Sequence, residues 1–384
     1  MSEFSFRRVS LVRAEFPADG RVLMISDIHG HANVLSKLLR KSAFSPRDTL
    51  VVVGDLLEKG AESLRVVRTL MALSATHRVY TLIGNMDVWT LSRLLSDRED
   101  KRRELLERAP KMTAWWGGCF FGELCAELGI PVSPDMDLDG TIMEIRRRFA
   151  PELAFLTGLP TILDTPYATF VHGGLPHEDL DALVGQDNMP LLKCDDFVSR
   201  GLRFQKYVVV GHWPTPLYRD RIMDMSPLIL RDRRIVSLDG GCGVKKSGQL
   251  NCVILPAPSS KDFSFLWEDD LPRVTALTAQ PAGTSDPVYI KWTDREVEVL
   301  HEGPDFARVL HHGRETLVPA WAVDHETPGR LNTDFTDYRL PVEPGDELSQ
   351  VFVCGGKLYA RKQSVLGWYE GQWTTKGEDR YGAS

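Results

Sequence analysis

The stretch Arg21–Asn85, RVLMISDIHGHANVLSKLLRKSAFSPRDTLVVVGDLLEKGAESLRVVRTLMALSATHRVYTLIGN, decides the fold. Three short apolar runs, VLMIS, TLVVVGD and VYTLIGN, alternate with two amphipathic segments, ANVLSKLLRKS and SLRVVRTLMAL. That rhythm reads β-α-β-α-β. Each apolar run leads to a polar residue at or near a glycine: Asp27, Asp55 and Asn85. The spacing between them is about one right-handed crossover unit. All three therefore fall beyond the carboxyl ends of strands in one sheet, where open α/β folds bind ligands.

Working outward, the same signature recurs in ATFVHGG, which ends on His172, and in KYVVVGHW, which ends on His212; His29 sits two residues after Asp27 in Asp-Ile-His-Gly. Asp27, His29, Asp55, Asn85, His172 and His212 are the residue types that hold a pair of divalent ions. A lone His172 or His212 is more often a partly buried histidine with ordinary partners. Six ligand types, each at the end of an apolar run, carry a different meaning. Two such ions about 3.5–4 Å apart clamp a phosphoryl group and lower the pKa of water to roughly 7, so the pattern implies hydrolysis of phosphate esters. Asp55 is the natural bridge, with Asp27 and His29 on one ion and Asn85, His172 and His212 on the other. Imidazole suits manganese, iron or zinc better than magnesium, and manganese is the expected metal, with iron or zinc as alternatives.

The motifs DIHG, GDLLEKG, GNMD, VHGG and VVGHW, in this order, resemble those of the calcineurin-like metallophosphoesterases of the phosphoprotein phosphatase family, whose usual forms are GDxHG, GDxxDRG, GNHE/D, HGG and GH or AH. The resemblance covers about residues 20–256. It is nearest to the bacterial branch of Ser/Thr and Tyr protein phosphatases and symmetrical diadenosine tetraphosphatases. It implies a four-layer α/β sandwich of mixed sheets, catalytic roles for Asp55 and Asn85, and substrate contacts from Lys59 and Asn85. Three residues depart from the pattern. Met86 stands where the family has the histidine that protonates the leaving oxygen, Glu58 where an aspartate orients that histidine, and Lys59 where an arginine grips phosphate. A thioether donates no proton, and lysine offers a point charge in place of a bidentate fork.

The expected function is that of a metal-dependent phosphoric monoester hydrolase, protein phosphatase-like, with Met86 in the acid's place. General acid catalysis is typically worth 10²–10⁴-fold, so leaving groups that depart unaided, phenolic or phosphoanhydride, suffer least. His31 and His177 are considered as replacement acids, with a solvated surface role the commoner reading for each. The alternatives are a dinucleoside polyphosphate hydrolase, or a pseudophosphatase acting as a phospho-ligand-binding scaffold. An intact ligand set favours activity over the scaffold. Asp239, in LDGGCG, reads as a structural turn, and Arg200 and Arg203 read as ordinary salt-bridging residues.

Organisation follows from composition. Residues 1–260 form the expected catalytic domain, with charged helical residues 88–160 inserted in it. RRIVSLDGGCGVKKSGQLNCVIL reads as a hairpin. Linker-like PAPSSKDFSF and QPAGTSDP then lead to short strands and turn glycines, read as a small SH3-like β-barrel over 285–325 and a possible second one over 336–376, either of which would suit a protein or peptide partner. The pair His311-His312, followed by Gly313, reads as a hairpin tip and not a metal site. A net charge of -7 with 43% hydrophobic and 26% charged residues gives no basic face for nucleic acid. No stretch has the length of a membrane span or the apolar core of a secretory signal, so a cytoplasmic location is expected. The six cysteines lack Cys-x-x-Cys spacing and are expected as buried thiols.

Overall fold

The computed structural model describes residues 4–375. The chain divides into two compact units: residues up to Pro214 together with Pro227–Asp269, and Thr215–Ser226 together with the residues from Asp270 on.

The first unit begins with β1 (Leu11–Arg13) and then runs through β2 (Val22–Ile25), α1 (Ala32–Lys41), β3 (Thr49–Val53), α2 (Ser63–Ser74) and β4 (Arg78–Leu82). β2, β3 and β4 pair in parallel, in the β-α-β-α-β order expected from their sequence. Helices α3 (Asn85–Leu94), α4 (Glu99–Trp116), α5 (Phe120–Glu127), α6 (Leu138–Arg148) and α7 (Ala150–Thr157) follow. Then come β5 (Ile162–Asp164), β6 (Ala168–Val171), the single turn α8 (Met189–Leu192), β7 (Tyr207–Val210), β8 (Leu228–Leu230), β9 (Ile235–Ser237), β10 (Leu250–Leu255) and β11 (Ser264–Glu268). One sheet has the order β11-β10-β2-β3-β4, and the other β1-β5-β6-β7-β9-β8.

Side-chain alternation along the strands explains the layering. Val22 and Met24 of β2, with Val51 and Val53 of β3, pack against Phe170, Val209 and Val236 of the other sheet. The intervening residues Leu23, Ile25, Leu50 and Val52 pack against Leu35 and Leu38 of α1, Val67 and Leu70 of α2, and Phe120 and Ile145 of the later helices. Both faces of these strands are buried, which is why they read as continuous apolar runs.

The hairpin expected over residues 233–255 is not formed. β9 pairs with β7 and β8, whereas β10 joins β2 and β11 in the opposite sheet. Two apolar runs separated by a glycine-rich stretch have the same local pattern whether the chain turns back or crosses between sheets. Here Leu238, Val236 and Val253 all lie in the apolar layer that the two sheets share.

The second unit is all-β beyond Asp270. β12 (Arg273–Ala276), β13 (Tyr289–Ile290), β14 (Glu298–Glu302), β15 (Phe306–His311), β16 (Arg314–Pro319), β17 (Phe335–Thr336), β18 (Glu347–Cys354), β19 (Lys357–Lys362), β20 (Val365–Tyr369) and β21 (Trp373–Thr375) form three sheets, ordered β20-β19-β18-β12-β21, β14-β15-β16 and β13-β17. The segments 285–325 and 336–376, the latter ending one residue outside the described residues, contribute to one shared apolar cluster: Ile290, Val309 and Val318 with Tyr359, Leu366 and Trp368. Five cysteines are buried and Cys354 is half-buried, all as free thiols. Among the described residues no helix is long and apolar enough to cross a membrane.

A candidate metal centre at the strand ends

Strands β2, β3, β6, β7 and β9 end at Ile25, Val53, Val171, Val210 and Ser237. One or two residues beyond them stand Asp27, Asp55, His172, His212 and Asp239, while Asn85 opens α3 after β4. Parallel register puts these ends at one edge. There the chain brings together all six residues expected from sequence, and Lys59 with them.

Asp55 lies at the middle. Its Oδ2 is 3.5 Å from His29 Nε2 and its Oδ1 is 3.5 Å from His172 Nε2. Asp27 Oδ1 is 3.9 Å from His29 Nε2, and Asp27 Oδ2 accepts from the His212 backbone N–H at 3.0 Å. Asn85 Oδ1 is 3.0 Å from His172 Nε2. The rings of His172 and His212 are 5.3 Å apart. Asp27, His29, Asp55 and His172 are essentially without solvent exposure.

The backbone here is held in an uncommon shape. Among the described residues, Asp27, His29, Asp55, Glu58, Lys59 and His212 all have positive φ, between 47° and 69°. Few non-glycine residues take this conformation, Asp and His among the more frequent, and such residues gather at turns and functional sites. Gly84 shows how tight the packing is: a Cβ there would lie 2.1 Å from Asp55 Oδ1 and 2.2 Å from its backbone nitrogen. At Gly211 a Cβ would lie 2.3 Å from Asp27 Oδ2.

Backbone carbonyls orient the imidazoles. His29 Nδ1 is 3.0 Å from the Leu57 carbonyl oxygen, and His172 Nδ1 is 2.8 Å from that of Val53. A carbonyl only accepts, so each Nδ1 carries its proton and each Nε2 is turned to the carboxylates. His212 is held the other way. Its Nε2 lies 2.7 Å from Asp195 Oδ1, which leaves Nδ1 as the nitrogen with a lone pair. Asp195, whose carboxyl is held low by His212 and Lys193 against the upward effect of burial, carried no motif in the sequence.

Asp87 is the second residue that sequence reasoning left without a role, although it stands in the quoted GNMD. Its Oδ1 accepts from the N–H groups of Leu56 and Leu57, and its Oδ2 from that of Gly84. It thus ties the Asp55 turn to the start of α3, with the reciprocal geometry of a capping box. Burial, followed by repulsion from Asp55, pushes its carboxyl up to about 7.

The electrostatics fit a cation-binding pocket. Burial alone would lower the His172 pKa, but Asp55 and Asp27 push it up to about 10. Conversely, burial would raise Asp55, and His172 and His29 hold it well below the usual carboxylate range. Burial pushes Asp27 up to about 6. Burial, then the Lys59 charge, takes His29 down to about 3. The Lys59 ammonium is 3.1 Å from His29 Nε2, so a side-chain cation stands at the nitrogen aimed into the pocket. Asp239 Oδ1 accepts from the Gly241 N–H, in the expected turn role, while its Oδ2 is buried without a hydrogen-bond partner among the described residues. Asp27, His29 and Asp55 each offer a ligand atom within 4.8 Å of one another. Bound cations would stabilise buried carboxylates in this number, and the donor set of oxygen and imidazole nitrogen suits divalent transition ions.

The departures are equally plain. Met86 is half-buried next to Asn85. Glu58 accepts from the Thr90 hydroxyl at 2.7 Å, and burial pushes its carboxyl up to about 7. His31 is tied through Nδ1 to the His29 carbonyl at 2.7 Å, and His177 is exposed. Arg203 pairs with Asp232, and Arg200 reaches the Asp195 carbonyl.

A carboxylate and imidazole pocket at the carboxyl edge of a two-sheet sandwich is the site architecture of a metal-dependent phosphoesterase. The chain belongs to the calcineurin-like phosphoesterase family, which residues 20–239 match. Metallophosphoesterases use divalent metal ions. Among curated relatives is a symmetrical bis(5'-nucleosyl)-tetraphosphatase of Delftia acidovorans, 40% identical over 85 residues, which are 22% of this chain and 30% of the relative. The corresponding protein of Buchnera aphidicola subsp. Schizaphis graminum is 33% identical over 87 residues, 22% of this chain and 31% of the relative. The matched region thus spans about a third of each relative's length. A solved protein serine/threonine phosphatase from Saccharomyces cerevisiae is 14% identical, with a TM-score of 0.40, over 70% of this chain and 86% of that one.

Proposed function

We propose that this chain is a metal-dependent hydrolase of phosphoanhydrides, with a dinucleoside polyphosphate as the substrate class. The observation that carries the reading is Met86, directly after Asn85 where the site would otherwise offer a proton donor. A phosphate leaving group departs without protonation, whereas a serine alkoxide does not. The tetraphosphatase relatives, alike over a third of their length, support the same choice.

In this proposal Asp27, His29 and Asp55 would hold one ion, and Asp55, Asn85, His172 and His212 would hold the other. Two bound divalent ions supply the activated water and neutralise the charge that develops on the phosphoryl group. Asp55 would be shared between the ions, and the Leu57 and Val53 carbonyls fix the imidazoles of His29 and His172, which flank it. Asp195 aims the third. Asn85 orients the phosphoryl oxygen through its amide. The Lys59 ammonium, 3.1 Å from His29 Nε2, would meet a substrate phosphate as a point charge. Met86 forms an apolar wall beside the leaving group and moves no proton.

The protein phosphatase reading keeps a narrower form. Because a phenolic oxygen also leaves readily, an aryl phosphate such as phosphotyrosine would be accepted ahead of phosphoserine. A cytoplasmic location is part of the proposal, as is manganese as the native ion. Purified protein should hydrolyse diadenosine tetraphosphate with added manganese, and a chelator should abolish the turnover. Absence of chelator-sensitive turnover would overturn the reading.

A further inference from the structure

The second compact unit carries ligand-type side chains that the phosphoesterase site does not use: Asp294, His311 and His312. β15 ends at His311 and β16 begins at Arg314, and these two are register partners. His312 and Gly313 therefore form a two-residue hairpin turn, with φ of 48° and 75°. Positive φ at both positions defines a type I′ turn, which favours Asn, Asp or Gly at the first. The histidine has a positional consequence. Consecutive strand residues face opposite sides, yet the left-handed backbone at His312 sets its ring centroid 4.2 Å from that of His311.

Asp294 reaches the same spot from a separate turn, in which its N–H donates to the Lys291 carbonyl at 2.9 Å. Its Oδ2 is 2.7 Å from His312 Nε2 and 4.0 Å from His311 Nε2. His311 is buried, and its Nδ1 is 2.9 Å from the Glu296 carbonyl oxygen. That carbonyl fixes the proton on Nδ1 and leaves Nε2 as the lone-pair nitrogen, the orientation of a metal-ligating imidazole. One ligand atom from each of the three lies within 4.8 Å of the others. Ligands of a tetrahedral ion with bonds of about 2.0 Å stand roughly 3.3 Å apart. The His312 and Asp294 side chains are 69% and 46% exposed and have room to approach that spacing, whereas His311 is buried.

We infer that Asp294, His311 and His312 bind a divalent ion of the zinc class, through two imidazole Nε2 atoms and one carboxylate oxygen. Three protein ligands leave a fourth position open to water or to a donor from another molecule. The site is independent of the strand-end pocket, and its ligand set excludes the all-oxygen preference of magnesium and calcium.

The test is a zinc titration of the full chain after chelator stripping, with bound metal counted per chain. His312→Asn is the informative variant, because Asn suits the first position of a type I′ turn and the fold is kept. The variant is expected to bind one zinc equivalent fewer than wild type, with turnover of phosphoester substrates unchanged. Asp294→Asn is expected to weaken the same site by at least about tenfold. Repeating the count in an Asp55→Asn background removes the strand-end pocket from the total, and the one-equivalent difference should persist there. Equal zinc stoichiometry and affinity in wild type and His312→Asn would overturn the assignment, and would reduce the cluster to a His312–Asp294 ion pair.

Discussion

The backbone N–H of Met86 donates to Asp55 Oδ1 at 2.8 Å. The residue that lacks a proton to give is thus still built into the pocket, because the first N–H groups of α3 have no partner within the helix and a carboxylate satisfies one of them. Side chain and backbone at position 86 have separate roles.

Met86→His keeps that backbone contact and restores an acid. Turnover of phosphoserine should rise by about 10- to 100-fold, short of the full worth of a general acid because the Glu58 carboxylate is already engaged by the Thr90 hydroxyl. Diadenosine tetraphosphate and p-nitrophenyl phosphate should change by less than about threefold. Equal gains across all three substrates, read as kcat/KM, would contradict the missing-acid account.

Asp195 holds His212, a residue of the proposed ligand set, by Nε2. Asp195→Ala should weaken metal binding by about 10- to 100-fold, the usual cost of losing such a partner. Activity should return at high manganese. A loss that excess metal fails to restore would point to a different role for Asp195.

Glu58 gives a pH signature in stability. Burial raises its pKa to about 7 from 4.5, so between these values the folded chain holds a proton that the unfolded chain has lost. The contribution of Glu58 to stability therefore falls as pH rises from 4.5 to 7. Glu58→Gln should melt higher than wild type at pH 8, by an order of 1–3 kcal/mol, and the gap should close by pH 5. A gap independent of pH would show that the carboxyl does not titrate in this window.

Much of the fold was legible because period-2 and period-3.6 patterns are local. Asp27, Asp55, Asn85, His172 and His212 each end an apolar run, and the parallel pairing of β2, β3 and β4 follows from crossover length. The path from β9 to β10 was not legible, since choosing between sheets depends on packing among Val236, Leu238 and Val253. Asp195 was silent because its meaning lies in a contact with His212, 17 residues away. Asp87 was visible in GNMD, but only the turn of Leu56 and Leu57 onto its carboxylate reveals what it holds. Likewise His311-His312 reads as a hairpin tip, and Asp294 joins the pair only through tertiary structure.

The most direct measurement is kcat/KM of the wild-type chain, with manganese, on diadenosine tetraphosphate and on a phosphoserine peptide in parallel. A site with its ligands in place and methionine at the acid position should favour the anhydride by at least about 10²-fold, the lower end of what a general acid is worth. Comparable values on the two substrates, or a preference for phosphoserine, would contradict the account.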